Sequence, residues 1–225
     1  MRSLLFWFGI VALPLTTTTA RGDGLFHRLP EDGAWVKYEF RGALGDNTVS
    51  GSFWMGSVGQ VAREGRECRW IEVRMEQPTM QRPIRYSFKV LVPKQYLKEG
   101  ENPLGHVVQG WYRKRDREPS ALDLRRQPSW WLWIALAPSL KHVKELEPKA
   151  ISTKLGELSC PGRVGIAESQ EGSESTFETY LHQEAPFGVV RCTITTKMKS
   201  DREVAFAFQL SDFGDNAKSE FPKLP

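Results

Sequence analysis

The stretch Val36-Lys37-Tyr38-Glu39-Phe40-Arg41 alternates apolar and charged side chains in strict period two. Successive side chains of a β-strand point to opposite faces of a sheet, so this stretch predicts a strand with one face in a core and the other in water. Three further alternating runs follow it, over Thr48–Met55, Cys68–Met75 and Ile84–Val92. Because the connections are too short for helical crossovers, we expect an antiparallel meander.

A second group of short alternating runs occupies the C-terminal part of the chain. Turn signals such as Pro161-Gly162 and Pro186-Phe187-Gly188 separate them. We predict strands over Leu155–Cys160, Arg163–Ala167, Ser175–His182, Gly188–Lys197 and Glu203–Ser211. No internal repeat or break in composition marks a second domain. The fold class is therefore mainly β, with a few short helices.

The first 20 residues predict an export signal. Arg2 gives a positively charged start, Leu4 to Leu15 form an almost unbroken apolar run, and Ala20 ends the segment where a signal peptidase cleaves. The run is shorter than the roughly 20 residues that a membrane-spanning helix needs. We expect a signal peptide over 1–20, one β-rich domain over 21–213 and a flexible tail over 214–225. The mature chain is then periplasmic or extracellular, without a membrane span.

Three cysteines, Cys68, Cys160 and Cys192, lie far apart in the sequence. Export allows disulfides, and a monomer then keeps one unpaired thiol. Cys160 and Cys192 belong to the same predicted sheet region, so a bridge between them is our first choice among three pairings. The alternative is that all three are buried thiols acting as small hydrophobic side chains.

The usual signatures of catalysis are missing from the sequence. It contains neither a Gly-x-Ser-x-Gly elbow nor a Gly-rich phosphate loop. The four histidines have no metal-ligand spacing; they are His27, His106, His142 and His182. We expect no catalytic residue, metal or cofactor. The remaining enzyme hypothesis needs His106, His142 or His182 to meet carboxylates in one pocket. The basic stretch 113–126 lacks the aromatic interleaving that stacks bases, so we expect no nucleic-acid partner.

An apolar segment between Pro128 and Pro138 reads Ser-Trp-Trp-Leu-Trp-Ile-Ala-Leu-Ala, and Ser129 can cap a short helix there. This helix is apolar on every side, so the rest of the protein must cover it. Burial of each indole is worth about 2 to 3 kcal/mol. The rings either fill the core or line a cavity for an apolar ligand. The candidate ligand-binding residues are Trp130, Trp131, Trp133, Ile134 and Leu136.

Two neighbouring stretches carry a family resemblance. Thr176-Phe177-Glu178-Thr179-Tyr180 followed by Ala185-Pro186-Phe187-Gly188-Val189-Val190-Arg191 resembles the strand, Pro-containing turn and strand of the LolA/LolB-like lipoprotein-carrier superfamily and its uncharacterised exported bacterial relatives. The resemblance implies a strongly curved antiparallel sheet, an unclosed β-barrel, with helices packed on its concave face as a lid. It also implies a lipid or acyl chain in the hollow.

Together these features favour an exported, noncatalytic binding or carrier protein. Its ligand would be a lipid or another apolar molecule held under the tryptophan-rich helix. The alternative is an envelope scaffold or protein-interaction module of the same fold, with a protein partner and no small ligand.

Overall fold

The computed structural model describes residues 21–22, 24–44, 47–80, 82–98, 101, 103–123, 132, 135–136, 139–168, 173–198 and 203–222. The predicted export signal over 1–20 lies outside the described residues. So do four members of the predicted ligand-binding set, Trp130, Trp131, Trp133 and Ile134.

Strands dominate the described residues. In chain order they are β1 (Arg21–Gly22), β2 (Trp35–Leu44), β3 (Asn47–Arg63), β4 (Arg66–Gln77), β5 (Ile84–Pro93), β6 (Gln109–Lys114), β7 (Ser120–Ala121), β8 (Ser139–Thr153), β9 (Gly156–Glu168), β10 (Glu174–Leu181), β11 (Val189–Lys197) and β12 (Glu203–Gly214). Two 3-10 turns, Lys94–Tyr96 and Pro103–His106, accompany them. Residues 132 and 135 are α-helical. The predicted class, mainly β with a few short helices, is confirmed.

All 12 strands join one antiparallel sheet in the spatial order β1-β8-β9-β10-β11-β12-β2-β3-β4-β5-β6-β7. The four strands of the first predicted meander correspond to β2 through β5, and the five predicted C-terminal runs fall on β9 through β12. Pairing of β12 with β2 joins the two, with Phe208 opposite Phe40. The two ends of this order, β1 and β7, do not pair with each other. The sheet is therefore curved and unclosed.

The alternation along the strands sorts the side chains onto two faces. Cross-strand pairs such as Tyr38 with Phe53 and Cys192 with Phe208 place the apolar positions on the same side of the sheet. This side, called the interior face below, is buried at Val36, Tyr38, Phe40, Phe53, Met55, Ile71, Val73, Met75, Phe88, Val90, Val92, Phe177, Cys192, Ile194, Phe206, Phe208 and Leu210. Its aromatic rings pack closely, with Phe208 at 5.7 Å from Phe40 and 5.8 Å from Phe53.

Strands β8 and β9 differ from the sequence prediction. The runs Leu155–Cys160 and Arg163–Ala167 belong to one strand, β9, although Pro161 lies between them. Pairing of β9 with β8 shifts register between Leu146 and Lys149, opposite this proline. A proline has no N–H for the ladder, and a bulge in the partner strand accommodates it.

The C-terminal residues also differ from the sequence prediction. The sequence predicts a flexible tail over 214–225, whereas residues 215–221 lie across the outer face of β2 to β6. We call these seven residues the C-terminal strap. The Ala217 N–H donates to the carbonyl of Gly33 at 2.7 Å, and Phe221 is only 5% exposed. Sequence periodicity gives no signal for the strap, because side chains of other strands hold it.

The three cysteines are free, buried thiols. The first-choice bridge between Cys160 and Cys192 is therefore not formed, and the buried-thiol alternative describes the chain. Cys192 lies on the interior face of β11, where the hydroxyl of Thr179 donates to its sulfur at 3.8 Å. Burial raises the pKa of the Cys160 thiol, so this sulfur is held in its neutral form.

Candidate functional site

The interior face and the helical residues that cover it form the candidate site. Leu132, Ala135 and Leu136 are fully buried and belong to the same apolar cluster as the interior face. The Leu136 N–H donates to the carbonyl of Leu132 at 2.9 Å, which is the bond of one α-helical turn. Of the five predicted ligand-binding residues, the structure thus places Leu136, and it places this side chain against the interior face.

Tyr38 shows how apolar the interior is. Its hydroxyl is buried and donates to the backbone carbonyl of Val189 at 3.0 Å. Burial raises the pKa of Tyr38 far above its ordinary value, and nearby Cys192 adds a smaller effect in the same direction. Such a desolvated phenol stays neutral across the physiological pH range. Around Tyr38 the interior face therefore suits hydrocarbon and disfavours charge.

An N-terminal segment, residues 24–34, packs against one end of the interior. Leu25 and Phe26 are buried, and the Phe26 ring meets the edge of Phe187 at 5.4 Å. The N–H groups of His27 and Arg28 both donate to the carbonyl of Phe187. The same corner, residues 185–188, carries the sequence resemblance. Its structural role is to anchor the N-terminal segment.

Gly188 is required at this corner. Its φ is +85°, in the left-handed region that favours glycine. A Cβ built on it would lie 2.8 Å from the ring of His27. A larger residue would therefore push the N-terminal segment off the corner.

Two buried arginines on the interior face hold the N-terminal segment. Arg163 Nη2 lies 2.5 Å from Nδ1 of His27, and Arg163 is 3% exposed. Arg69 Nη1 donates to the carbonyl of Pro30 at 3.2 Å and to Ser57 Oγ at 2.8 Å. An arginine has only donors, and the segment supplies an acceptor to each of them, the Pro30 carbonyl to Arg69 and Nδ1 of His27 to Arg163. The charges thus mark the polar end of an otherwise apolar interior.

Sequence reasoning missed these two arginines, although a signal was present. Arg69 shares the phase of Ile71 and Val73 on β4, and Arg163 shares the phase of Ala167 on β9. A charged residue in phase with apolar neighbours predicts a buried charge that needs partners. The phase of the two arginines therefore predicts that both side chains lie on the interior face.

The histidines do not assemble a catalytic cluster with carboxylates in the described part of the chain. His106 stacks on Tyr96, with ring centroids 3.5 Å apart. His142 is exposed at a φ of +54°. His182 and His27 share a pocket of about 390 Å³, and no carboxylate is among its described lining residues. Among the described residues, no group of three metal-ligating side chains comes together.

None of the helices in the described ranges is long and apolar enough to cross a membrane. This finding concerns helices alone.

No family model matches the chain, and no curated protein matches it. Several solved structures resemble it distantly, among them the following three. A lipoprotein candidate from Parabacteroides distasonis has 11% identity and a TM-score of 0.38, covering 85% of this chain and 100% of its own. A DUF1329 family protein from Desulfovibrio piger has 8% identity and a TM-score of 0.38, covering 83% and 87%. A candidate outer-membrane lipoprotein-sorting domain from Vibrio parahaemolyticus has 7% identity and a TM-score of 0.36, covering 83% and 86%. None of these likenesses assigns the chain to a family.

Proposed function

We propose that the chain is an exported, noncatalytic carrier that holds a lipid or another apolar ligand between the interior face and the segment that contains Leu132 and Leu136. The observation that carries the proposal is the full burial of Leu132, Ala135 and Leu136 against the interior face. Small-ligand sites are concave and lined mostly by apolar side chains, which the interior face and its cover would provide.

Each part of the site has a role in this proposal. The rings on the interior face, such as Phe177 and Phe208, supply the surface along which a hydrocarbon chain lies. Trp130, Trp131, Trp133 and Ile134 are proposed to contact the ligand together with Leu136. The N-terminal segment, tied down by Arg69 and Arg163, closes the polar end. Burial of apolar ligand area supplies the affinity, at roughly 25 cal/mol per Å² before the costs of association.

The role proposed for the chain requires no bond-making chemistry. The ligand enters and leaves by displacement of the cover, and the sheet stays fixed. The proposed location is the periplasm or the outside of the cell, which follows from the predicted export signal over 1–20.

Native mass spectrometry of the full chain tests this proposal. Protein extracted under mild conditions from the envelope of its expression host should carry amphiphile adducts of discrete mass, and organic extraction should remove them. Reloading the stripped chain with a defined phospholipid should restore a one-to-one adduct. A chain that carries no amphiphile before stripping and accepts none afterwards contradicts the proposal.

The alternative function is an envelope scaffold whose helical segment is plain core. The complete burial of Leu132 and Leu136 is also what a filled core requires. A stable protein partner recovered from intact envelope, together with a chain that accepts no lipid, would favour the scaffold. The mass measurement above therefore separates the two functions.

A further inference from the structure

The C-terminal strap contacts the outer face of the sheet through side chains of β4, β5 and β6. Glu72 lies at the centre of this contact and is fully buried. Its Oε2 accepts a 2.6 Å hydrogen bond from the Ser219 hydroxyl, and its Oε1 accepts from the Glu220 N–H at 3.1 Å. Lys89 Nζ lies 2.9 Å from Ser219 Oγ. Side chains of the sheet therefore form hydrogen bonds with both a hydroxyl and a backbone amide of the strap.

Two guanidinium groups bind the carboxylate of Glu220. Arg74 Nη1 lies 3.0 Å from its Oε1, and Arg113 Nη2 lies 3.1 Å from its Oε2. Arg113 also donates to the Glu220 carbonyl at 3.1 Å. The next residue, Phe221, packs under the Arg113 guanidinium at 5.2 Å from the ring centroid. Two arginines that bind one carboxylate, next to a guanidinium that stacks on an aromatic ring, are typical of selective peptide recognition.

The strap is held differently from the strands. All 12 strands pair with one another without it. Its contacts are made by side chains that project from the outer face, and Arg74 also binds the Lys218 carbonyl. The strap thus lies on the outer face of the sheet as a bound peptide would, and it does not add a strand to the sheet.

We infer that the outer face of β4 to β6 is a peptide-binding site for an extended segment with Ser-Glu-aromatic chemistry. The strap fills this site in cis, and a matching segment of a partner protein fills it in trans. The site residues are Glu72, Arg74, Lys89 and Arg113. This inference is independent of the proposed carrier function, because the peptide site lies on the opposite face of the sheet from the interior.

The strap leaves part of this face unsatisfied. Trp111 Nε1 and Arg113 Nε are buried N–H donors for which the described residues supply no acceptor. Buried donors normally have partners in native proteins. A partner segment that carries additional acceptors at these positions would therefore bind better than the strap does.

The covalent connection between β12 and the strap determines how well a partner segment competes for the site. The strap follows Gly214 of β12 directly, and such a short connection gives it an effective local concentration on the order of mM or higher, so a free peptide binds poorly while the strap is bound. Weakening the strap in cis should open the site to the same sequence in trans. This reciprocal behaviour distinguishes a tethered ligand from a permanent part of the fold.

The test uses a fluorescent peptide of residues 215–222 and the full chain carrying Glu220→Gln and Phe221→Ala. We expect this variant to bind the peptide at least about 10-fold more tightly than the wild-type chain does. Adding Arg113→Met should abolish the gain, while Arg85→Met should preserve it. Arg85 is exposed and pairs with Glu76, away from the strap, which makes it a matched control. A folded variant that binds the peptide no better than wild type overturns the inference.

Hydrogen exchange of the wild-type chain provides a test that needs no variant. The amides of Ala217 and Glu220 should exchange at least about 10-fold faster than the slowest amides of β2 and β12, because the strap opens without global unfolding. Exchange of these two amides only together with the slowest core amides would show that the strap cannot leave. That outcome overturns the inference even if the strap variant fails to fold.

Discussion

The hydroxyl of Tyr38 on β2 donates a 3.0 Å hydrogen bond to the carbonyl of Val189 on β11, although β12 lies between the two strands. The bond spans the interior face beneath β12, where the sheet curves. It ties the N-terminal meander to the C-terminal meander through a group that is completely buried. The stability of the whole sheet is therefore linked to the protonation of one phenol.

The first prediction is a loss of stability at alkaline pH. Burial raises the folded-state pKa of Tyr38 far above its unfolded value of about 10, so above pH 10 the unfolded chain ionises and the folded chain does not. A raised pKa gives stability that is complete below the unfolded pKa and is lost as the pH rises. The free energy of unfolding should fall by up to about 1.4 kcal/mol per pH unit from this group.

Urea unfolding at pH 8, 9, 10 and 11 measures this loss, and Tyr38→Phe is its control. The variant should lose roughly 1 kcal/mol at pH 8 through the missing hydrogen bond and show a shallower alkaline decline. Parallel declines in the two proteins would show that Tyr38 does not contribute.

A second prediction concerns the aromatic cluster of the interior face. Phe208 contacts the rings of Phe40, Phe53 and Phe206 and has no exposed area. Phe208→Ala should lower the free energy of unfolding by about 3 to 5 kcal/mol, through lost burial and the cavity left behind. Met198 is 46% exposed, and Met198→Ala should change the free energy of unfolding by less than about 0.5 kcal/mol. Equal effects of the two substitutions in urea unfolding would contradict the packing described for the interior.

The third prediction concerns the thiols. All three cysteines are buried and free, and burial raises the pKa of Cys160, which lowers its fraction of reactive thiolate. In the native protein iodoacetamide should therefore modify them slowly at pH 8, and in urea without reductant it should modify all three. Mass spectrometry measures the number of modified cysteines under both conditions. Modification of two cysteines only after reduction would instead show a disulfide.

A fourth prediction addresses the buried carboxylate beneath the strap. Glu72 accepts from Arg74 Nε at 2.7 Å as well as from the strap. Glu72→Ala removes one partner of a buried ion pair, which typically costs about 3 to 5 kcal/mol. Glu39 faces solvent beside Lys37, so Glu39→Ala should cost less than about 1 kcal/mol. Urea midpoints of both variants measure the difference, and a cost for Glu72→Ala no larger than the control's would remove the role assigned to this carboxylate.

Alternation predicted the strands that build most of the interior face. In β2, for example, Val36, Tyr38 and Phe40 are apolar and buried, whereas Glu39 and Arg41 between and after them are exposed. Strand β8 gave no such signal before Ile151. Two register shifts interrupt its pairing with β9. Consecutive exposed residues such as Lys144 and Glu145 also break the alternation of buried and exposed positions. A bulge resets the phase that sequence periodicity needs.

The candidate site was only partly predictable for a related physical reason. Leu136 belongs to an apolar run, and such runs must be covered wherever they occur. The buried positions of Arg69 and Arg163 follow from their phase along the strands. The burial of Glu72 could not be predicted, since this residue lies on the outer face and the polar strap crosses it there. Tertiary contacts decide that burial, and the local pattern does not carry them.

Photo-crosslinking with a diazirine-bearing fatty acid tests the carrier hypothesis most directly. After irradiation of the loaded full chain, proteolysis and mass spectrometry locate the adducts. We predict adducts on the peptide that contains residues 130–136 and on interior-face residues such as Phe177 and Ile194. A complete absence of adducts, or adducts confined to outer-face residues such as Trp54 and Trp70, would contradict the hypothesis.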